Sequence, residues 1–388
     1  MTVTDQYGLP LSTDSAEAAQ AYIDGVELSL RVEPAAPTRF VDALAHDPAF
    51  GMARAAVAFH LQFEPDPAVS VGQALLAARD ARGTTKREWQ HVEVMRRAAA
   101  RDWAAVATLA VAHLAEYPRD ALVLWQLVRL LGYGADPDRK AKAAHELEER
   151  ATHFGADPWF LSLRSLALSE VGRLDEAERT AGEGLAVDPG HTLLAHSQSH
   201  IAFERGDHPG GRDYLAAWLR ANTGGMAADH LRWHVAICDI ALGDADIALA
   251  NFRAEADHTM QAAASLLWRL HLRGFDVAED MRPLVDAPVS AGINNVFERA
   301  HLALVFCVLG HGSRLDRLGR DPGPEGSLVA RVFGAWIAAL RLIVDGNWRE
   351  AVAPLEVAAA HVQVLGGSNE QHEVVHETLA AARRRLPA

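Results

Sequence analysis

The sequence predicts an all-α protein built as a helical-repeat array, a curved α-solenoid with an N-terminal helical cap. Three observations carry this. Alternating Val/Ile/Thr runs bounded by turn pairs are hard to find, while Ala, Leu, Arg and Glu, all good helix formers, dominate. Apolar residues recur at spacings of three and four, the mark of a helix with one buried face. Small residues that announce sharp turns return at regular intervals.

Residues 1–82 lack that beat and read as irregular helices, near 15–30, 38–46, 49–62 and 69–81, capping the array. Residues 83–388 carry the repeats and end in a capping helix. Turns fall at Ala100, Gly134, Gly172, Gly206, Gly243, Gly274, Gly310 and Gly346, with gaps of 34, 38, 34, 37, 31, 36 and 36 residues. Most are followed five positions later by a small residue, as in Gly172…Ala177, Gly206…Gly211, Gly243…Ala248 and Gly346…Ala351. A period near 34 with two helices per unit is the tetratricopeptide pattern. The clearest unit, 158–191, places Gly172, Ala177, Ala181 and Pro189 where small residues and a terminating proline are needed. One helix pair cannot bury its apolar face alone, so stacking on neighbours makes a continuous core. The segment SRLDRLGRDPGPEG at 313–326 reads as a loop by its Gly and Pro content. The last helix is expected to be capped by Ser368 or Asn369 and to end among Arg383, Arg384 and Arg385.

Composition narrows the function. With 37 Lys+Arg against 51 Asp+Glu the net charge is −14, which argues against nucleic acid or an anionic membrane as partner. No apolar run is long enough to span a bilayer. Two cysteines, Cys238 and Cys307, make no disulfide framework, and the N-terminus shows no secretion signal, so a cytoplasmic protein is expected. Histidine is the outlier, with 19 residues.

Six histidines share a phase relative to the turns. His91, His234 and His301 each lie nine residues before one, His196 and His200 lie ten and six before Gly206, and His230 lies thirteen before Gly243. Offsets spaced by three or four fall on one face of the first helix of a unit. His91, His196, His200, His230, His234 and His301, with Trp233, are therefore the candidate binding residues, lining a hollow that holds a small molecule or a short peptide or protein segment.

Three chemistries fit these residues. His196/His200 and His230/His234 are i,i+4 pairs on adjacent first helices, so four imidazoles converge on a candidate site for zinc or another divalent metal, with no carboxylate in an obvious supporting position. The same imidazoles suit cofactor-free proton transfer, with Ser197 and Ser199 the nearest hydroxyls. His372-Glu373-Val374-Val375-His376 matches H-E-x-x-H but lacks a downstream third ligand. Cys238, four residues after His234, reads as a buried structural thiol. An interaction scaffold with exposed histidines is the third functional class, after a binding protein and an enzyme.

Several scattered motifs are not explained by the repeat. They are Gly8–Thr13, Thr85-Lys86-Arg87-Glu88-Trp89-Gln90-His91, Ala195-His196-Ser197-Gln198-Ser199-His200-Ile201, His230-Leu231-Arg232-Trp233-His234, Phe297 to His301, and Leu365-Gly366-Gly367-Ser368-Asn369-Glu370-Gln371. In these the chain resembles the tetratricopeptide repeat protein 38 family over nearly its whole length. The resemblance implies a curved helical-repeat array and carries the paired and single histidines over to these positions, without implying a reaction. The chain departs from the family at Ala202 and Phe203, where the family has polar residues, and at His372 and Glu373, where the family has an Arg-Asp pair.

Overall fold

The computed structural model describes residues 3–62, 64, 66–222, 228–255, 258–290, 292–293 and 295–385. Four helices come first: α1 (Ala16–Leu30), α2 (Ala36–His46), α3 (Gly51–Leu61) and α4 (Pro67–Asp80). Eight helix pairs follow. They are α5 (Lys86–Ala99) with α6 (Trp103–Glu116), α7 (Ala121–Tyr133) with α8 (Arg139–Phe154), α9 (Pro158–Glu170) with α10 (Leu174–Val187), and α11 (Thr192–Arg205) with α12 (His208–Ala221). Then come α13 (Ala228–Leu242) with α14 (Ala245–Ala254), α15 (Met260–Leu272) with the short α16 (Ala278–Met281), α17 (Asn295–Val308) with α18 (Gly312–Gly319), and α19 (Leu328–Val344) with α20 (Trp348–Ala360). The last helix is α21 (Asn369–Arg384). Among the described residues there is no strand, only an isolated bridge between Thr4 and Pro10, and no helix is long and apolar enough to cross a membrane.

Each of the eight expected turns separates the two helices of a pair. Gly172, Gly206, Gly243, Gly274, Gly310 and Gly346 take φ between +69° and +93°, a region that side chains with a Cβ resist. At Ala100 the positive φ passes to Arg101. Gly134 keeps φ −70°, and its lack of a Cβ is explained instead by the Leu130 carbonyl, 2.6 Å from where one would sit. Ala177 and Ala181 are fully buried where α10 meets α9, and Ser165 Oγ donates to the Ala177 carbonyl at 2.8 Å. Asp102, Asp120 and Asp157 accept the first free N–H groups of their helices, the ordinary capping role. First helices stack on first helices, α9 on α11, α15 on α17, α17 on α19. This is an all-α, tetratricopeptide-type helical-repeat array.

Two expectations need correction. The stretch 313–326 is not wholly a loop, because Gly312–Gly319 forms α18. Leu315 and Leu318, three apart, give it an apolar face, and Leu315 is fully buried against the core; only the Pro- and Gly-rich residues after it are irregular. The final helix does more than close the end. It starts at Ser368 through a reciprocal capping box with Gln371 and packs on both α20 and α15. The array also curls until distant units touch: the Tyr133 and Phe297 rings, from α7 and α17, lie 5.5 Å apart.

Candidate functional site

α11 and α13 run side by side, and the i,i+4 spacing turns two imidazoles of each into the gap. His196 and His200 approach with Nε2 atoms 3.1 Å apart, His196 and His230 at 3.1 Å, and His230 and His234 at 3.2 Å. The rings of His196 and His234 lie 5.1 Å apart, and those of His200 and His234 4.9 Å. His200 and His234 are buried, while His196 and His230 are partly exposed.

Two carboxylates stand behind this quartet. Glu370 Oε2, from α21, lies 2.9 Å from His234 Nδ1 and 3.9 Å from His200 Nδ1. Glu170 Oε1, from α9, lies 3.5 Å from His200 Nδ1. Sequence reasoning missed Glu370 because its helix is remote in the chain, though it fell inside one of the unexplained polar motifs; Glu170 stands on the neighbouring first helix, α9. Glu170 is itself held by Lys140 at 2.6 Å and by the Asn369 backbone N–H at 3.0 Å. Asn369 also donates to Glu204 Oε1 at 2.8 Å. Glu204, one position beyond Phe203, thus joins the network indirectly.

Burial first, then mutual repulsion, holds the imidazolium forms of His196 and His230 well below the usual range, and burial with the charge of His200 does the same for His234. Burial also opposes charge on His200, but Glu170 and Glu370 outweigh it and raise that group. Burial pushes Glu370 up to about 7, and against the same penalty His200 and Lys140 bring Glu170 down to about 2. The result is a mostly neutral imidazole cluster backed by acids.

The quartet opens on a cavity of about 150 Å³. Val128, Leu131, Leu163 and Leu166 form its apolar wall, and its polar lining joins Arg139, Lys140 and Glu170 to His196, His200 and His230. Trp233 does not line it. Its ring stacks on His230 at 5.5 Å and 8° and faces a separate groove with Phe252 and Leu266.

His91 and His301 do not join the quartet, which corrects the six-histidine hollow. Curvature does bring distant units together, but each of these rings is engaged locally. His91 Nδ1 meets Asp120 at 3.0 Å in a buried cluster with His113 and Arg87. His301 Nδ1 donates to the Phe297 carbonyl at 2.8 Å and lines another small cavity with His372. The H-E-x-x-H match does not assemble either: His372 Nε2 donates to the Gly366 carbonyl at 2.9 Å, while His376 is exposed. Ser197 and Ser199 donate to the carbonyls of Ser162 and His196, so neither hydroxyl is paired with an imidazole. Cys238 is buried with its thiol pushed up to about 12, the behaviour of a structural cysteine.

The unexplained motifs meet in pairs. Ser12 N–H donates to Glu88 Oε1, and Arg87 donates to the Pro10 carbonyl, joining 8–13 to 85–91. The 195–201 and 230–234 motifs form the quartet. At Gly367, φ +86°, a Cβ would sit 2.6 Å from the Phe297 ring, joining 297–301 to 365–371.

No family model matches the chain. Among solved structures, the crystal structure of yeast Tom70 aligns over 94% of this chain and 88% of its own, with 8% identity and a TM-score of 0.33. The crystal structure of the P58(IPK) TPR domain covers 95% of this chain and 98% of its own, with 14% identity and a TM-score of 0.23. At such values the architecture rests on the helix pairs described above.

Proposed function

We propose that this is a binding protein of the tetratricopeptide repeat protein 38 family, working in the cytoplasm, with residues 1–82 as a cap on the repeats. Its histidine-lined cavity takes a small molecule with an apolar body and one polar head. The observation that carries this reading is the pairing of an apolar wall with three imidazoles across about 150 Å³. That volume is below the roughly 300 Å³ at which drug-sized sites begin, and comparable to engineered cavities that take up benzene. It therefore favours a ring-sized ligand over a peptide. A scaffold engaging proteins through these histidines would need them exposed, whereas His200 and His234 are each 1% exposed.

The test is thermal unfolding with toluene, benzyl alcohol and benzoate as probes, on the wild type and on Ala167→Phe, which fills the cavity. A saturable rise in Tm that the variant lacks supports the reading. It fails if none of the three shifts the wild type, or if Ala167→Phe shifts equally. An enzyme is the second reading, favoured by one observation: whatever enters the cavity lies against the imidazoles of His196 and His230.

A further inference from the structure

The contacts within the quartet cannot all be hydrogen bonds. An imidazole nitrogen carries one in-plane proton or one lone pair, so it makes one such bond. His196 Nε2 has two nitrogen neighbours, at 3.1 Å each, and His230 Nε2 has two, at 3.1 and 3.2 Å. Of the three contacts in the run His200–His196–His230–His234, at most two can be satisfied by protons. The third brings two nitrogens together with no proton between them.

A cation removes this conflict, since each nitrogen then points a lone pair at one centre. Bonds of about 2.0–2.1 Å from an ion to imidazole nitrogens give N···N edges of about 3.3–3.4 Å at tetrahedral angles and about 2.8–3.0 Å at right angles. The observed 3.1–3.2 Å lies between. The ligand atoms of His196, His200 and His234 all fall within 4.8 Å of one another; His230 stands outside that set, with its Nε2 beside His196 and His234.

The outward nitrogens are prepared for the same role. A carboxylate facing Nδ1 calls for a proton there, which leaves the lone pair on Nε2, and this is how metal-bound histidines are commonly oriented. Glu370 does this for His234 and Glu170 for His200. Glu370 is 1% exposed and lies against both His234 and His200, so a cation bound there sits close to its carboxylate. The other compact histidine group, His91, His113 and Asp120, has no such need, because Arg87 already supplies its positive charge.

We propose that His196, His200 and His234 bind one divalent first-row transition metal through Nε2, with His230 beside the open coordination position and Glu370 and Glu170 as positioning residues. All-imidazole ligation without thiolate suits zinc and its cobalt substitute. The ion would form the polar end of the cavity, so the proposal deepens the pocket reading while depending only on the quartet.

The test uses the full chain stripped with chelator and titrated with Co²⁺, followed by visible absorption and by the Tm with Zn²⁺. One equivalent of Co²⁺ with ligand-field bands is expected. His200→Ala/His234→Ala should lose the bands, and Glu370→Gln should weaken binding about 10–100-fold. In case the double variant folds poorly, His200→Gln alone is compared by its metal-free Tm and its metal-induced rise; a near-normal Tm without a rise is expected. No bands in the wild type, or equal binding in the double variant or in His200→Gln, overturns the proposal. Co²⁺ failing while the benzyl probes still bind would remove the metal and leave the pocket. Co²⁺ binding while every probe fails would do the reverse.

Discussion

Arg139 provides a direct test of how the final helix is held. This fully buried guanidinium donates to the carbonyls of Leu131 at 3.1 Å, Gly132 at 2.6 Å and Gln363 at 2.9 Å, and also to Gly367. It thereby ties the end of α7 to the turn before α21. Arg139→Met keeps most of the stem volume and removes every donor. Hydrogen bonds from a charged donor are worth about 1.5–3 kcal/mol each, and four that share one group do not add in full. Water from the adjoining cavity can also reach some freed carbonyls. The expected loss is about 3–5 kcal/mol. The Gly367 N–H, which donates to the Gly132 carbonyl at 3.1 Å, is the local reporter. Losing about 3 kcal/mol of local protection accelerates its hydrogen exchange by about 100-fold. Urea unfolding and amide exchange measure the two quantities. A stability change under about 1 kcal/mol with Gly367 exchange altered less than about threefold would refute the clamp. Arg139→Lys should recover under half of the loss, since an ammonium cannot fork across four carbonyls.

Other outcomes follow from buried groups and turns. Asp120→Asn removes the carboxylate shared by Arg87, His91 and His113, and should cost about 3–5 kcal/mol by denaturant unfolding. Burial lowers His301 to about 4 in the folded chain, below its unfolded value of about 6.5. The unfolded chain therefore takes up the proton first as pH falls. Stability from this group is full above about pH 6.5 and is lost progressively down to about pH 4, reaching about 2 kcal/mol by pH 5. His301→Leu should flatten that part of the urea-midpoint profile; an unchanged slope would count against it. Gly346→Ala, at φ +79° in open space, should destabilise by about 1 kcal/mol, whereas Gly182→Ala, inside α10 with nothing near its Cβ position, should stabilise by about 0.5–1 kcal/mol. Paired thermal melts check the opposite signs.

The repeat was legible because its cause is local. Six of the eight turns close on a glycine at positive φ, and five are followed five positions on by a small residue, whatever the pair packs against. The quartet was legible for the same reason, since i,i+4 spacing on neighbouring first helices is a short-range rule. What the sequence hid is long-range. Glu370 reaches the same imidazole as Glu170 of the neighbouring α9 only because α21 returns across α9, α11 and α13. His91 and His301 share the phase of the other four, yet Asp120 and the Phe297 carbonyl take them first, and periodicity carries no information about such competitors. The loop reading of 313–326 gave Gly and Pro at its end too much weight against Leu315 and Leu318 at its start.

A nearest-neighbour stack can fray from its ends, one unit at a time, because each unit depends only on the two beside it. The returning helix changes that. Gly367 holds Arg139, Asn369 holds Glu170, Thr378 accepts from Trp268 at 2.8 Å and Glu377 from Arg269 at 2.9 Å, so one segment is bonded to units far apart in the stack. Unzipping any of those units first requires releasing the segment they share. The central and C-terminal units should therefore melt together in a single sharp transition, a cooperativity that an open solenoid of equal length lacks.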